Sequence, residues 1–138
     1  MTDLRAYFTH RAGEILDLLR QLVEIESPST DKAATDHIAQ FVAQVALEAG
    51  ANVATIPQKQ HGDHLLARWG EGEDGFLLLC HLDTVWPLGT LAERPWRVKD
   101  ERACGPGCLD DKASAAIILS ALKGLRELGA SPSSYYFT

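Results

Sequence analysis

Three patterns in the second half of the chain, in a fixed order, constrain the fold most. FLLLC, residues 76–80, is a short apolar run. Ala113 to Leu128 then places Ala116, Ile117, Leu119, Leu122, Leu125 and Leu128 at helical spacing before Gly129, and YYFT, residues 135–138, begins a further strand. Strand, crossover helix and strand imply a parallel pair, because parallel strands cannot be joined by a tight turn. The expected fold class is α/β, a layered sheet with parallel central strands flanked by helices. FLLLC, apolar on both faces, is expected to be a buried central strand.

The front of the chain supplies the flanking layer. AGEILDLLRQLVEI, residues 12–25, sets Ile15, Leu18, Leu19, Leu22 and Val23 on one stripe of a helix that should begin nearer Thr2 or Asp3. It must stop before Pro28, whose ring pushes the preceding residue out of the helical region. A second helix follows, capped by Ser29 or Thr30, with Ile38, Phe41, Val42 and Val45 inward and Gly50 suited to its left-handed end. ANVATIP and HLLARW read as strands joined by QKQHGD, and GEGEDG, residues 70–75, reads as a polar turn. Residues 82–109 read as one long loop rich in Pro and Gly, and loops of that length are usually functional.

Composition narrows the partners. The chain has 138 residues, enough for one core, and a net charge of -6 with Lys and Arg scattered. An acidic balance without a basic patch argues against nucleic acid. The N-terminus lacks the basic flank and apolar core of a signal peptide, and no run reaches the ~18 apolar residues of a membrane span. No membrane partner and a cytoplasmic location are therefore expected. Cys80, Cys104 and Cys108 then read as reduced thiols.

Ligands of open α/β sheets bind beyond the carboxyl ends of the strands, and His81 is the first residue able to project there from FLLLC. A neutral imidazole is a common zinc ligand, and a carboxylate such as Asp83 can orient it. The plainer alternative for a bare H-x-D pair is a strand-end His bonded to backbone, with Asp83 capping a turn. In ACGPGCLDDKASAA, residues 103–116, Asp110 and Asp111 stand at a helix start, where capping is the plain role and metal ligation the sharper one.

Other chemistries are less well supported. Cys80 and His81 point to opposite faces of a strand, so they cannot easily share one ion, and a Cys104, Cys108 and His81 zinc site is a minor alternative. GEGEDG precedes a strand rather than following one, which excludes a dinucleotide turn, and no G-x-S-x-G is present. His10, His37, His61 and His64 read as surface or capping residues. Trp86, Pro87, Trp96, Arg94 and Arg97 either line a pocket or pack the long loop onto the core.

CHLDTVWPLGT, residues 80–90, and GPGCLDDKA, residues 105–113, together resemble the paired motifs of a zinc-dependent exopeptidase and amidohydrolase family. That family includes glutamate carboxypeptidase, acetylornithine deacetylase, succinyl-diaminopimelate desuccinylase and aminoacylase. LLRQLVEIESPST resembles its opening helix and turn, and DHLLARWG resembles the glutamate carboxypeptidase branch. The resemblance implies that His81 is a zinc ligand, Asp83 the catalytic residue orienting it, and Asp110 a carboxylate bridging two zinc ions. It also implies a cis bond between Asp110 and Asp111, and hydrolysis of a peptide or N-acyl amide bond near a free carboxylate. The substrate would be a small peptide or N-acyl amino acid. Asp111 stands where the family often has Met, and Cys80 where it commonly has Gly.

Relative to that family the chain is short. It is expected to be the N-terminal portion of a catalytic domain, with the lid or dimerisation domain and the C-terminal catalytic half absent. Without the lid domain no oligomer is expected. His81 and Asp110 would be its only direct metal ligands, whereas catalytic zinc normally has three from protein. The expected enzyme is thus a metallopeptidase or amidohydrolase incomplete as this chain. The rival readings are a non-catalytic binding module that keeps the fold and one half of a split enzyme.

Overall fold

The computed structural model describes residues 3–72, 75–130 and 135–137. Helix α1 (Leu4–His10) starts at Asp3, whose carboxylate accepts the N–H groups of Arg5 and Ala6 at 3.0 and 3.2 Å. Arg11 leaves helical geometry at φ -102°, ψ 7°, and α2 (Ala12–Glu24) restarts beyond it. The single front helix expected from periodicity is therefore two, and a start at Thr2 lies outside the described residues. Ile25 is extended, so α2 ends ahead of Pro28 as the proline requires.

Helix α3 (Lys32–Glu48) corrects the expected cap. Asp31, not Ser29 or Thr30, accepts the Ala34 N–H at 3.0 Å. Ser29 is committed elsewhere: its N–H and its hydroxyl both donate to the Thr84 carbonyl, at 2.9 and 3.1 Å. Gly50 does adopt the left-handed conformation after α3, at φ +89°.

The main sheet has strand order β1 (Asn52–Ile56), β2 (His64–Trp69), β6 (Tyr135–Phe137), β3 (Phe76–Leu78). β1 and β2 form an antiparallel hairpin with Asn52 opposite Arg68 and Ile56 opposite His64. β2 pairs antiparallel with β6, and β6 runs parallel to β3 with Leu77 opposite Tyr136. Helix α5 (Ala113–Glu127) makes the crossover between β3 and β6, so the parallel pair predicted from the sequence is present within a mixed sheet. Gly129, at φ +70°, follows α5 as expected. Residues 73–74 of GEGEDG and Thr138 lie outside the described residues.

FLLLC is not a buried central strand. Among the described strands β3 is an edge, and Phe76, Leu77 and Leu79 are 63, 60 and 68% exposed. Only Leu78 and Cys80 pack against the core. An apolar run shows that a strand tolerates burial; whether it is buried depends on what lies beside it, and among the described strands β6 alone pairs with β3.

The expected loop at 82–109 also contains structure. It holds the short helix α4 (Thr90–Glu93) and an antiparallel hairpin of β4 (Arg97–Lys99) and β5 (Arg102–Cys104). Asp100 and Glu101 turn that hairpin at φ +50° and +59°. Glycine or asparagine normally marks such a turn, and its absence, with strands of three residues, hides the hairpin from pattern reading.

The core joins α3 to β1 and β2, and α2 to α5, through Leu22, Ile38, Val42, Leu65, Leu119 and Phe137, all at most 6% exposed. Each such side chain contributes roughly 1.5–3 kcal/mol by leaving water. Trp69, 4% exposed, satisfies its indole N–H on the Ala49 carbonyl at 3.2 Å. The rim above β3 is thereby fixed to a packed base.

Candidate metal site

His81 lies three residues beyond the carboxyl end of β3, next to Cys80, which packs against the core. Its Nδ1 lies 3.0 Å from the Asp83 carbonyl oxygen and 3.4 Å from the Asp83 carboxylate. Asp83 thus steadies the ring through its backbone more closely than through its side chain. The other ring nitrogen, Nε2, lies 3.0 Å from Asp110 Oδ1. Burial opposes the imidazolium, but bonding to Asp110 and Asp83 and the charges of both outweigh it, holding the His81 pKa above its ordinary value.

Asp110 reaches that position from a kinked turn, Cys108–Lys112, set between the left-handed Gly107 and α5. Asp110 and Asp111 leave helical geometry there (φ -123°, ψ 91° and φ -132°, ψ 18°), and the peptide bond between them is cis, as the family resemblance implies. No capping bond is made at the start of α5, so neither aspartate plays the plain capping role. The Asp110 carboxylate, 89% exposed, faces His81.

The two motifs are laced together by residues 25–29. Ser27, fully buried, donates its hydroxyl to the Leu82 carbonyl at 2.7 Å and accepts the Thr84 N–H at its own carbonyl at 2.8 Å. Glu26 accepts the N–H groups of Gly89 and Leu91 at 2.8 and 2.9 Å, and those bonds hold its carboxyl below the usual range. Lys112, 1% exposed, donates its ammonium to the Ile25 carbonyl at 2.6 Å. Burial pulls its pKa down to about 8 against the opposing charge of Glu26.

Sequence reading missed Glu26, Ser27 and Lys112. A signal existed for Lys112 alone: a cation at a helix start opposes the helix dipole, so it calls for some other partner.

A cleft of about 300 Å³ runs beside His81 and Asp83, between the start of α3 and the β1–β2 turn, and His61 and His64 line it. The turn is tied to α3 by Lys32, whose ammonium bridges Asp36 and Asp63, and by the Asp63 N–H on Asp36 at 2.8 Å. His61 and His64 were expected only as surface or capping residues; they border the space in front of the candidate ligand. Trp86 and Arg94 both pack and line a recess: the guanidinium lies 4.7 Å from the indole centroid, and Arg97 stands on the same recess.

The donor types fit part of a zinc site. At ligand distances of about 2.0–2.2 Å, two donors on a tetrahedral ion stand roughly 3.3–3.6 Å apart, so the His81–Asp110 pair, hydrogen-bonded at 3.0 Å, would open by a few tenths of an ångström to hold one. Among the described residues no three His, Cys, Asp or Glu side chains converge as a metal cage, so the minor Cys104, Cys108 and His81 alternative is not built. Burial, with the Asp111 charge behind it, pushes the Cys80 thiol up to about 12, which keeps it protonated at neutral pH in the metal-free chain. No helix among the described residues is long and apolar enough to cross a membrane.

An α/β rim that brings an imidazole to a carboxylate at the carboxyl end of a parallel strand lies where open α/β sheets place their ligands. No family model matches the chain. Carboxypeptidase G2 of Pseudomonas sp. (strain RS-16) is 34% identical over 124 residues, which are 88% of this chain and 30% of that protein. The crystal structure of human carnosine dipeptidase 1 superposes with a TM-score of 0.81 at 22% identity, covering 96% of this chain and 32% of that one. An M20 family metallo-carboxypeptidase, Sso-CP2 from Sulfolobus solfataricus, gives a TM-score of 0.74 at 18% identity, over 90% of this chain and 30% of that one. The chain is a homologue of carboxypeptidase G2 with the fold of these metallopeptidase structures, which fits the family its two motifs resemble, and it spans about a third of the length of these relatives.

Proposed function

We propose that this chain is the His81- and Asp110-bearing portion of a zinc-dependent hydrolase acting on a small peptide or N-acyl amino acid. The bond cleaved is a peptide or N-acyl amide bond near a free carboxylate. The observation that carries the reading is the approach of His81 Nε2 to Asp110 Oδ1 at 3.0 Å from motifs 29 residues apart. His81 and Asp110 would hold the metal, with Asp83 orienting the imidazole. When bound, zinc polarises a scissile carbonyl and acidifies a water.

This chain's own residues prepare that site rather than complete it. The His81 ring is steadied at Nδ1 by the Asp83 carbonyl, which leaves Nε2 directed at Asp110. The cleft beside His81 and Asp83 offers space for part of a substrate. Two protein donors are fewer than a catalytic zinc requires, and the relatives are about three times as long, which supports the reading of the chain as the N-terminal portion of a catalytic domain. The general base, the remaining ligands and a lid or dimerisation domain would belong to the remainder of a complete enzyme.

Zinc titration of the purified chain, with His81→Ala and Asp110→Ala beside it, tests the assignment. A weak site lost in both variants is the expected result. Unchanged zinc binding in both variants would remove these residues as ligands, and amide hydrolysis by the chain alone would overturn its incompleteness.

A further inference from the structure

We infer that Lys112 is a positioning residue for the candidate metal pair: its buried ammonium, bonded to the Ile25 carbonyl, sets where the Asp110 carboxylate stands relative to His81. The inference rests on the reading of His81 and Asp110 as a ligand pair. Lys112 is among the largest fully buried side chains of the described residues, and lysine is almost never fully buried unless paired. Its Nζ donates to Ile25 O at 2.6 Å, on the stretch that also holds the His81 loop.

That stretch is a shared frame. On one side Ser27 fixes Leu82 and Thr84, the residues that follow His81. On the other, Lys112 closes the turn that carries Asp110, since its own N–H donates to the Gly107 carbonyl at 3.2 Å while its side chain crosses to Ile25. Gly107 lets the two sides touch, because a Cβ there would meet the Thr84 methyl at 2.5 Å and the Lys112 stem at 3.4 Å. Asp110 itself lies in non-helical backbone with an exposed carboxylate, so its placement depends on how the turn is anchored. A side chain needed only to fill volume would be apolar and would avoid the cost of desolvating a charge. The ammonium adds a fixed crosslink between the two halves of the site.

The test uses the 138-residue chain labelled with 15N-histidine and kept free of metal. In Lys112→Met, which keeps the stem and removes the donor, the His81 Nε2 resonance should move toward that of an unbonded imidazole. Zinc titration of the same variant should show roughly ten- to a hundredfold weaker binding, the usual loss when a supporting partner of a metal ligand is removed. Leu119→Ala, a core change of comparable severity, should lower the melting temperature without moving that resonance. Parental His81 resonance and zinc affinity in a folded Lys112→Met chain would overturn the inference. Should circular dichroism show that Lys112→Met does not fold, Lys112→Leu, which also removes the donor, is read by the same resonance, and a parental signal there overturns it equally. Absence of zinc binding in the parent chain would remove the ligand reading, while the metal-free resonance still decides what Lys112 does.

Discussion

Replacing Ser27 by Ala should loosen the candidate site measurably, and the neighbouring Ser29→Ala should not. Both hydroxyls donate to carbonyls of the loop after His81, Ser27 to Leu82 at 2.7 Å and Ser29 to Thr84 at 3.1 Å. The acceptors differ. Thr84 O keeps the Ser29 N–H at 2.9 Å whatever the side chain, whereas among the described residues Leu82 O depends on the Ser27 hydroxyl. Ser27 is fully buried, so its loss leaves an unsatisfied carbonyl at a cost of about 1–2 kcal/mol, against a few tenths for Ser29→Ala. For a chain of this length that corresponds to a melting temperature lower by about 3–5 °C per kcal/mol. Urea denaturation of the two variants beside the parent measures the difference directly. Equal costs, or a Ser27→Ala cost below about 0.5 kcal/mol, would refute the claim that this hydroxyl carries the link between the front turn and the His81 loop.

Two further outcomes follow from the same frame. Gly107→Ala should destabilise by about 1–3 kcal/mol and weaken zinc binding, because the residue sits at φ +69° and the new methyl would meet Thr84 at 2.5 Å; denaturation and zinc titration together check it. Glu26 has a depressed folded pKa, so its stabilisation is present above the ordinary carboxylate pKa and is lost as pH falls through the lower folded value. Glu26→Gln should therefore be less stable than the parent at neutral pH, by roughly 1 kcal/mol after allowance for solvent screening, with the gap closing in acid. A gap that stays constant from pH 7 to pH 3 would show that the carboxylate charge is not what holds Gly89 and Leu91.

The candidate ligands were legible because their motifs are local. HLD ends an apolar run and CLDDKA opens a helix, and each pattern can be read within about ten residues. The cap of α3 shows why nearby features still escaped. Ser29 and Asp31 are both good capping residues, and the choice between them was made by Thr84, which claims Ser29 from 55 residues away. The hairpin inside 82–109 escaped for a different reason: its left-handed turn uses Asp100 and Glu101, without the glycine that would have announced it.

By itself the sequence determined the apolar stripes of α2, α3 and α5, the β1–β2 hairpin and the parallel crossover from β3 to β6. These are matters of period and conformational preference within a few residues, and each segment carries them alone. The tertiary structure decided the rest: that β3 is an edge among the described strands, that Asp110 faces His81 instead of capping α5, and that a buried lysine ties the two motifs to one turn. Hydrogen-bond partners and buried faces are settled by competition among groups far apart in the chain, and only folding brings those competitors together.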